Sequence, residues 1–407
     1  MKVDHVGNLP YFNDDNGFTG KILGSNQCLE IAKDLIKDSV HIHNKNIEYL
    51  NSLGRKVKHL YTEPQMHQMF NHMEAIEVGQ KIKLNDNLTI VLHHNNHVVG
   101  ATSISLYIRK PNNNIVHILY SSDMGNSITQ DLKPFLKNND LPKKCNLFIT
   151  EATYNNPERA FTKKDAIQER KELANNIKQW ISENKRVLFA TFSFARSQEI
   201  LHFLWDNFRD EEWFKEVPIV VDGLLMNNIN RTYHNVLDDE DADLFREIMS
   251  MKNIKINKNY DGTIACLSKR TSGIYLASSG FCTAGRIMTY LPQFLGSKKD
   301  VVILTGYCGS EGTIGYKLLD ENQKTVTVDK QVIRKNAIVK QLKTWSSHIG
   351  YWELLKIFEE MKCNKILVHH SDNGKEEFCE KAKEYLKSKG ITTQVVPVGK
   401  GASQFIL

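Results

Sequence analysis

Residues 187–201 read VLFATFSFARSQEIL, and the way this stretch folds decides the architecture. Residues 186–192 (RVLFATF) form a short, nearly unbroken apolar run, the pattern of a strand buried on both faces. From Ser197 to Phe208 apolar residues recur at helical spacing. Upstream, residues 163–183 predict a long amphipathic helix, with Ala166, Ile167, Leu173, Ile177, Trp180 and Ile181 on one face. Downstream, residues 218–222 (PIVVD), 273–277 (GIYLA) and 301–306 (VVILTG) repeat the strand pattern. Strands alternating with helices in this way imply a parallel sheet covered by helices.

The flanking sequence has a different style. Residues 87–93 (NLTIVLH), 103–108 (SISLYI), 115–120 (IVHILY) and 147–150 (LFIT) are closely spaced strands that end in polar residues. After Ser346 come a helix (351–361), a strand (365–369), a second helix (376–389) and a last strand (393–398). Residues 163–345 therefore read as a domain inserted into another made of residues 1–162 and 346–407. The length of 407 residues, with 41% hydrophobic and 25% charged, suits a globular chain of two cores. No apolar run approaches the roughly 20 residues that span a bilayer, and the start is polar. The expectation is a soluble, cytoplasmic protein with no membrane partner. Seven scattered cysteines without a C-x-x-C exclude a disulfide framework and a thiolate zinc site. The net charge of +6 favours a polyanionic partner only weakly.

Chemistry concentrates at element ends. Asp4 and His5 precede a glycine. His97 follows a strand and leads into small residues. Asp123 and Glu151 each end an apolar strand, His348 lies in SSHIG, and His369 ends ILVHH with His370 behind it. Each has an ordinary reading as a turn histidine or a capping aspartate. Together they place five imidazoles and three carboxylates where strands stop, and these are the donors that zinc accepts. A carboxylate has two oxygens and can bridge two ions. His41, His43, His59, His67 and His72, in polar surroundings, are read as surface residues.

The order of these pieces resembles the metallo-β-lactamase superfamily, and specifically its β-CASP branch. In the insert, residues 187–201 are similar to the family's VFALGRAQEIL segment, with Phe192, Arg196, Gln198 and Glu199 matching and Ala195 where glycine is usual. Val221-Asp222-Gly223-Leu224 resembles VDSPL. Residues 277–286 (ASSGFCTAGR) resemble ASPGMLTGGR, with Ser279 in place of proline. Gly306-Tyr307 with Glu311-Gly312-Thr313 resembles GYQAEGTLG. The resemblance implies an αββα sandwich, truncated at its N-terminus, with an inserted α/β domain. It implies a zinc-dependent ribonuclease acting on single-stranded RNA at a two-metal site in the cleft between the domains, with a homodimer left open. Asp4 and His5 would match the end of an H-x-H-x-D-H motif on the second zinc, with Asp4 also catalytic. His97 would hold the first zinc, Asp123 would bridge, and His369 would hold the second zinc. Glu151 would orient the site and His348 would be the general acid for the leaving oxygen. Arg196, Ser279 and Arg286 would meet the substrate's phosphates. His370, where the family has glycine, would be an outer or surface residue.

One departure stands out. The H-x-H-x-D-H motif calls for two histidines ahead of Asp4. One position falls before residue 1, and Lys2 holds the other; a protonated lysine has no lone pair for a metal. The first zinc site is therefore expected to be incomplete in this sequence and its two-zinc activity weak or absent. A fragment, or a start at an internal methionine, accounts for this better than a degraded short form, because every later element of the site is present. The alternative function is an inactive RNA-binding or scaffold member of the same family. A small-molecule hydrolase is disfavoured by the insert.

Overall fold

A computed structural model of the chain describes residues 3–309, 311–371 and 373–399, except for the side chains of Val3 and Asp4. The chain divides into two compact units, Met1–Phe161 with Ser347–Leu407, and Thr162–Ser346. Among the described residues no helix is long and apolar enough to cross a membrane.

The first unit is organised by a seven-stranded sheet in the order Gln394–Pro397, Lys365–His370, Leu147–Glu151, Ile115–Tyr120, Thr102–Arg109, Leu88–His94, Ile82–Asn85. The first four strands run parallel, and the remaining pairings are antiparallel. Two antiparallel steps restore direction, so Leu88–His94 points the same way as Ile115–Tyr120. The ends of Leu88–His94, Ile115–Tyr120, Leu147–Glu151 and Lys365–His370 thus open on one edge of the sheet. In α/β sheets with parallel strands this is the edge where ligands bind.

Helices Tyr351–Glu360 and Lys375–Ser388 cover one face of the parallel half. Their Leu354, Phe358 and Phe378 pack with Phe148, Ile366 and Val368 from the strands. A separate two-stranded parallel pair joins Ile22–Gly24 to Met73–Ala75. The helix Asn26–Ser52 starts on Ser25, whose side chain accepts from the Cys28 amide at 3.2 Å and donates to the Gly100 carbonyl at 2.8 Å. Gly100 has φ +77°, and a Cβ there would lie 2.5 Å from the Cys28 nitrogen. Only glycine lets this helix start against the loop that carries His97.

In the second unit six parallel strands are ordered Ile254–Asn257, Ile219–Asp222, Gly273–Ala277, Arg186–Ala190, Asp300–Leu304, Ile338–Gln341. The run that opened the sequence reading forms a strand buried at every position, paired on both sides. It stops at Ala190 rather than Phe192, because the chain must turn through Ala195 at φ 65° before helix Arg196–Phe208 begins.

The helix Lys163–Ser182 opens with a reciprocal cap. The Thr162 amide donates to Asp165 at 2.7 Å, and the Asp165 amide donates to the Thr162 hydroxyl at 3.2 Å. One turn on, the Glu169 carboxylate accepts from the Lys343 and Thr344 amides at 2.8 and 2.9 Å and from the Thr344 hydroxyl at 2.7 Å. The entry and exit of this unit are therefore fastened side by side.

Arg186 and Asp300 form a buried pair across neighbouring strands, with Nε donating to Oδ1 at 2.9 Å and the guanidinium 4.2 Å from the Phe294 ring centre. Removing one charge strands the other in a low-dielectric interior. Asp300→Ala is expected to destabilise the chain by about 3–5 kcal/mol in chemical denaturation, whereas the double change Arg186→Met with Asp300→Leu recovers most of the loss.

Candidate metal centre

Four strand ends meet at the open edge of the seven-stranded sheet. His97 (2% exposed) lies just past Leu88–His94, Asp123 (7%) just past Ile115–Tyr120, Glu151 (0%) ends its own strand, and His370 ends Lys365–His370. His348 (9%) comes in from the segment before helix Tyr351–Glu360.

Backbone contacts hold these pieces in register. Gly125 pairs with His348 as an isolated antiparallel bridge, and the Ile349 amide donates to the Met124 carbonyl at 2.9 Å. The Gly125 amide donates to the Asn95 carbonyl at 2.8 Å, and the buried Asn95 side chain donates to the Asp123 carbonyl at 2.9 Å. A Cβ on Gly125 would fall 1.7 Å from the Asn96 carbonyl oxygen. Asn96 (φ 58°) and Ser122 (φ 57°) take left-handed turns beside this crossing. Asparagine tolerates that conformation; for serine it is uncommon.

The Asp123 carboxylate faces two ways. Oδ2 lies 3.4 Å from His5 Nε2 and 3.8 Å from His97 Nε2, while Oδ1 lies 3.5 Å from His370 Nδ1. Two groups of potential ligands, His97–Asp123–His348 and Asp123–Glu151–His370, each have one donor atom per residue within 4.8 Å of the others. Asp123 belongs to both, so its geometry is that of a bridging carboxylate.

Partners on the far side set the imidazoles. His97 Nδ1 is 3.1 Å from the Ser347 carbonyl, which can only accept, so Nδ1 carries the proton and a neutral ring has its lone pair on Nε2, toward Asp123. His348 Nδ1 is 3.0 and 3.1 Å from the two Glu151 oxygens, and its ring lies 4.6 Å from that of His97 and 5.9 Å from that of Tyr154. Burial by itself would raise the Glu151 pKa. The charge interaction with His348 and hydrogen bonds from His348, Thr153 and the Met124 amide outweigh it and hold the carboxyl below its ordinary range.

The His369 ring lies tilted 5.4 Å from that of Tyr120, and burial lowers its pKa, helped by neighbouring His370 and opposed by Asp123 and Glu151. Its Nε2 is buried without a hydrogen-bond partner. An orphaned imidazole nitrogen, a two-sided carboxylate and a nitrogen–oxygen donor set fit a zinc-type divalent ion.

The expected residues fall into three groups. His5, His97, Asp123, Glu151 and His348 come together, and His369 stands beside them. Asp4 is on the short helix Val3–Val6, with its side chain outside the described atoms, and Lys2 lies outside the described residues. His370, read as an outer or surface residue, is partly exposed but lies against the cluster. A bulge between Val368 and His370 sets His370 opposite Glu151, and the Thr153 hydroxyl lies 3.1 Å from its Nδ1.

In the second unit Arg196 is corrected. Its side chain is buried, paired with Glu199 and 5.8 Å from the Trp345 ring, so its charge is used internally and not offered to a phosphate. Arg286 remains partly exposed, with Nε 3.4 Å from Asp222 and the guanidinium 5.2 Å from the Tyr260 ring. Ser279 sits in a tight turn, its hydroxyl accepting from the Thr283 amide at 3.4 Å. Asn95 and Gly125 were missed from the sequence, where nothing local distinguishes them.

Gly125→Ala is expected to push the Asp123 and His348 segments apart and to destabilise the chain by about 1–3 kcal/mol, the range for overpacking. Thermal denaturation together with a zinc titration of the variant checks both effects.

Comparison with known proteins agrees with this architecture. Residues 197–318 match the Beta-Casp domain model. Endoribonuclease YSH1 of Eremothecium gossypii is 25% identical over 385 residues, covering 91% of this chain and 47% of that protein. Endoribonuclease ysh1 of Schizosaccharomyces pombe is 24% identical, covering 91% and 46%. Integrator complex subunit 11 of Gallus gallus is 21% identical, covering 97% and 63%. The chain thus spans about half the length of the first of these relatives. The insert thus carries a match to the Beta-Casp domain, and nearly the whole chain is similar to proteins named as endoribonucleases and to an Integrator subunit.

Proposed function

We propose that this chain is a metal-dependent ribonuclease that hydrolyses phosphodiester bonds of single-stranded RNA. The observation that carries the reading is the Asp123 carboxylate, set between His5 and His97 on one oxygen and His370 on the other. The names of its relatives, endoribonucleases among them, support RNA over other substrates.

His97 and Asp123 would hold one zinc-type ion, with Asp123, His5 and His369 at a second. Two such ions supply Lewis-acid polarisation of the phosphate and a water acidic enough to attack near neutral pH. The protein's own residues do the rest. Glu151 accepts the Nδ1 proton of His348 and so orients the ring, leaving Nε2 as the atom at which a proton passes to the departing oxygen. Tyr154 packs against the same ring and limits its swing. Because Lys2 stands where the family motif has an imidazole, turnover is expected to be slow.

The test is a time course with the full chain and labelled single-stranded RNA, single-stranded DNA and a thioester, each with added zinc and with chelator. RNA cleavage abolished by chelator, and lowered about 10²–10⁴-fold in kcat by His348→Gln, is the expected result. Metal-loaded protein that binds RNA yet leaves it intact would turn the reading to a scaffold role.

A further inference from the structure

We propose that His370 is a direct ligand of a divalent transition metal, shared with the Oδ1 side of Asp123. Position and reach both point this way. Regular alternation along Lys365–His370 would put His369 and His370 on opposite faces of the sheet. The bulge between Val368 and His370 breaks that alternation and pairs His370 with Glu151. Its Nδ1 then lies 3.5 Å from Asp123 Oδ1 and 3.1 Å from the Thr153 hydroxyl.

The Nδ1 atom is what gives the arrangement its chemistry. Asp123 Oδ1 can only accept, and a threonine hydroxyl can donate to a neutral nitrogen or accept from a protonated one. A cation placed between Nδ1 and Oδ1 satisfies both, and the hydroxyl need only rotate. Donor atoms of Asp123, Glu151 and His370 already lie within 4.8 Å of one another, close enough for one ion. Glu151 is the weaker third ligand, since His348, the Met124 amide and the Thr153 amide already claim its oxygens. The His370 side chain is 43% exposed, so an ion can reach it from solvent without the sheet opening. His369 differs, with its Nε2 buried and its ring tilted against that of Tyr120. The two adjacent imidazoles therefore approach the centre from different depths, and His370 is the one that meets Asp123.

This inference rests on the metal-dependent reading above, but its test uses metal alone. Cobalt(II) is titrated into the full chain and into His370→Gln and His370→Cys, with circular dichroism to check folding. A direct ligand predicts that His370→Gln weakens one cobalt by more than about 100-fold, beyond the 10–100-fold typical of residues that only orient a ligand. It also predicts that His370→Cys keeps the ion and gains a thiolate-to-cobalt charge-transfer band. A loss within the orienting range, or a cysteine variant without the band, overturns it, as does a parent chain that binds no cobalt. Cobalt bound through position 370 in a chain that never cleaves RNA would leave the inference standing and remove the nuclease reading instead.

Discussion

One close backbone approach carries the site. Gly125 lies against the Asn96 carbonyl and bridges to His348, so three segments far apart in the chain meet where no side-chain carbon fits. His97 follows the first segment, Asp123 precedes the second and His348 sits on the third. Their spacing is set by backbone hydrogen bonds and by Asn95, which bonds two carbonyls of the Asp123 turn. Ligands positioned by backbone hold their geometry before any ion arrives, and a metal site depends on that rigidity.

The electrostatics follow from the same crowding. Asp123 and Glu151 are both buried carboxylates at neighbouring strand ends. Each would be unfavourable without compensation. Glu151 is compensated within the protein by His348 and two amides. Asp123 is instead surrounded by imidazoles at 3.4–3.8 Å, which is looser than a hydrogen bond and leaves room for a cation among them. The two acids thus divide the work, one fixing a histidine and the other addressing the open side.

Much of this was legible in the sequence, because strand ends announce themselves. Asp123, Glu151 and His97 each follow an apolar run, and a polar residue at the end of strands that point the same way faces the ligand edge. The parallel sheet of the insert was equally visible in the largely apolar strands around Val187 and Ile274. What stayed hidden depended on contacts distant in sequence. The glycine usual at that position of the family placed His370 outward, and a bulge is a register event between two strands that no single strand records. Arg196 was read as a phosphate contact from its place in the segment that resembles the family. Its burial depends on Trp345, at the far end of the unit. Gly125 reads as an ordinary glycine until Asn96 lies above it.

The clasp formed by Glu169 on Lys343 and Thr344 has a topological consequence. It brings the first helix and the closing segment of the Thr162–Ser346 unit together, so the surrounding chain meets a module with adjacent ends. Once the module has folded, the polypeptide on either side behaves as if joined by a short connection, and the entropy of closing a long loop is already absorbed. Such a module can lengthen, shrink or be exchanged in evolution without resetting the register of the strands that receive it.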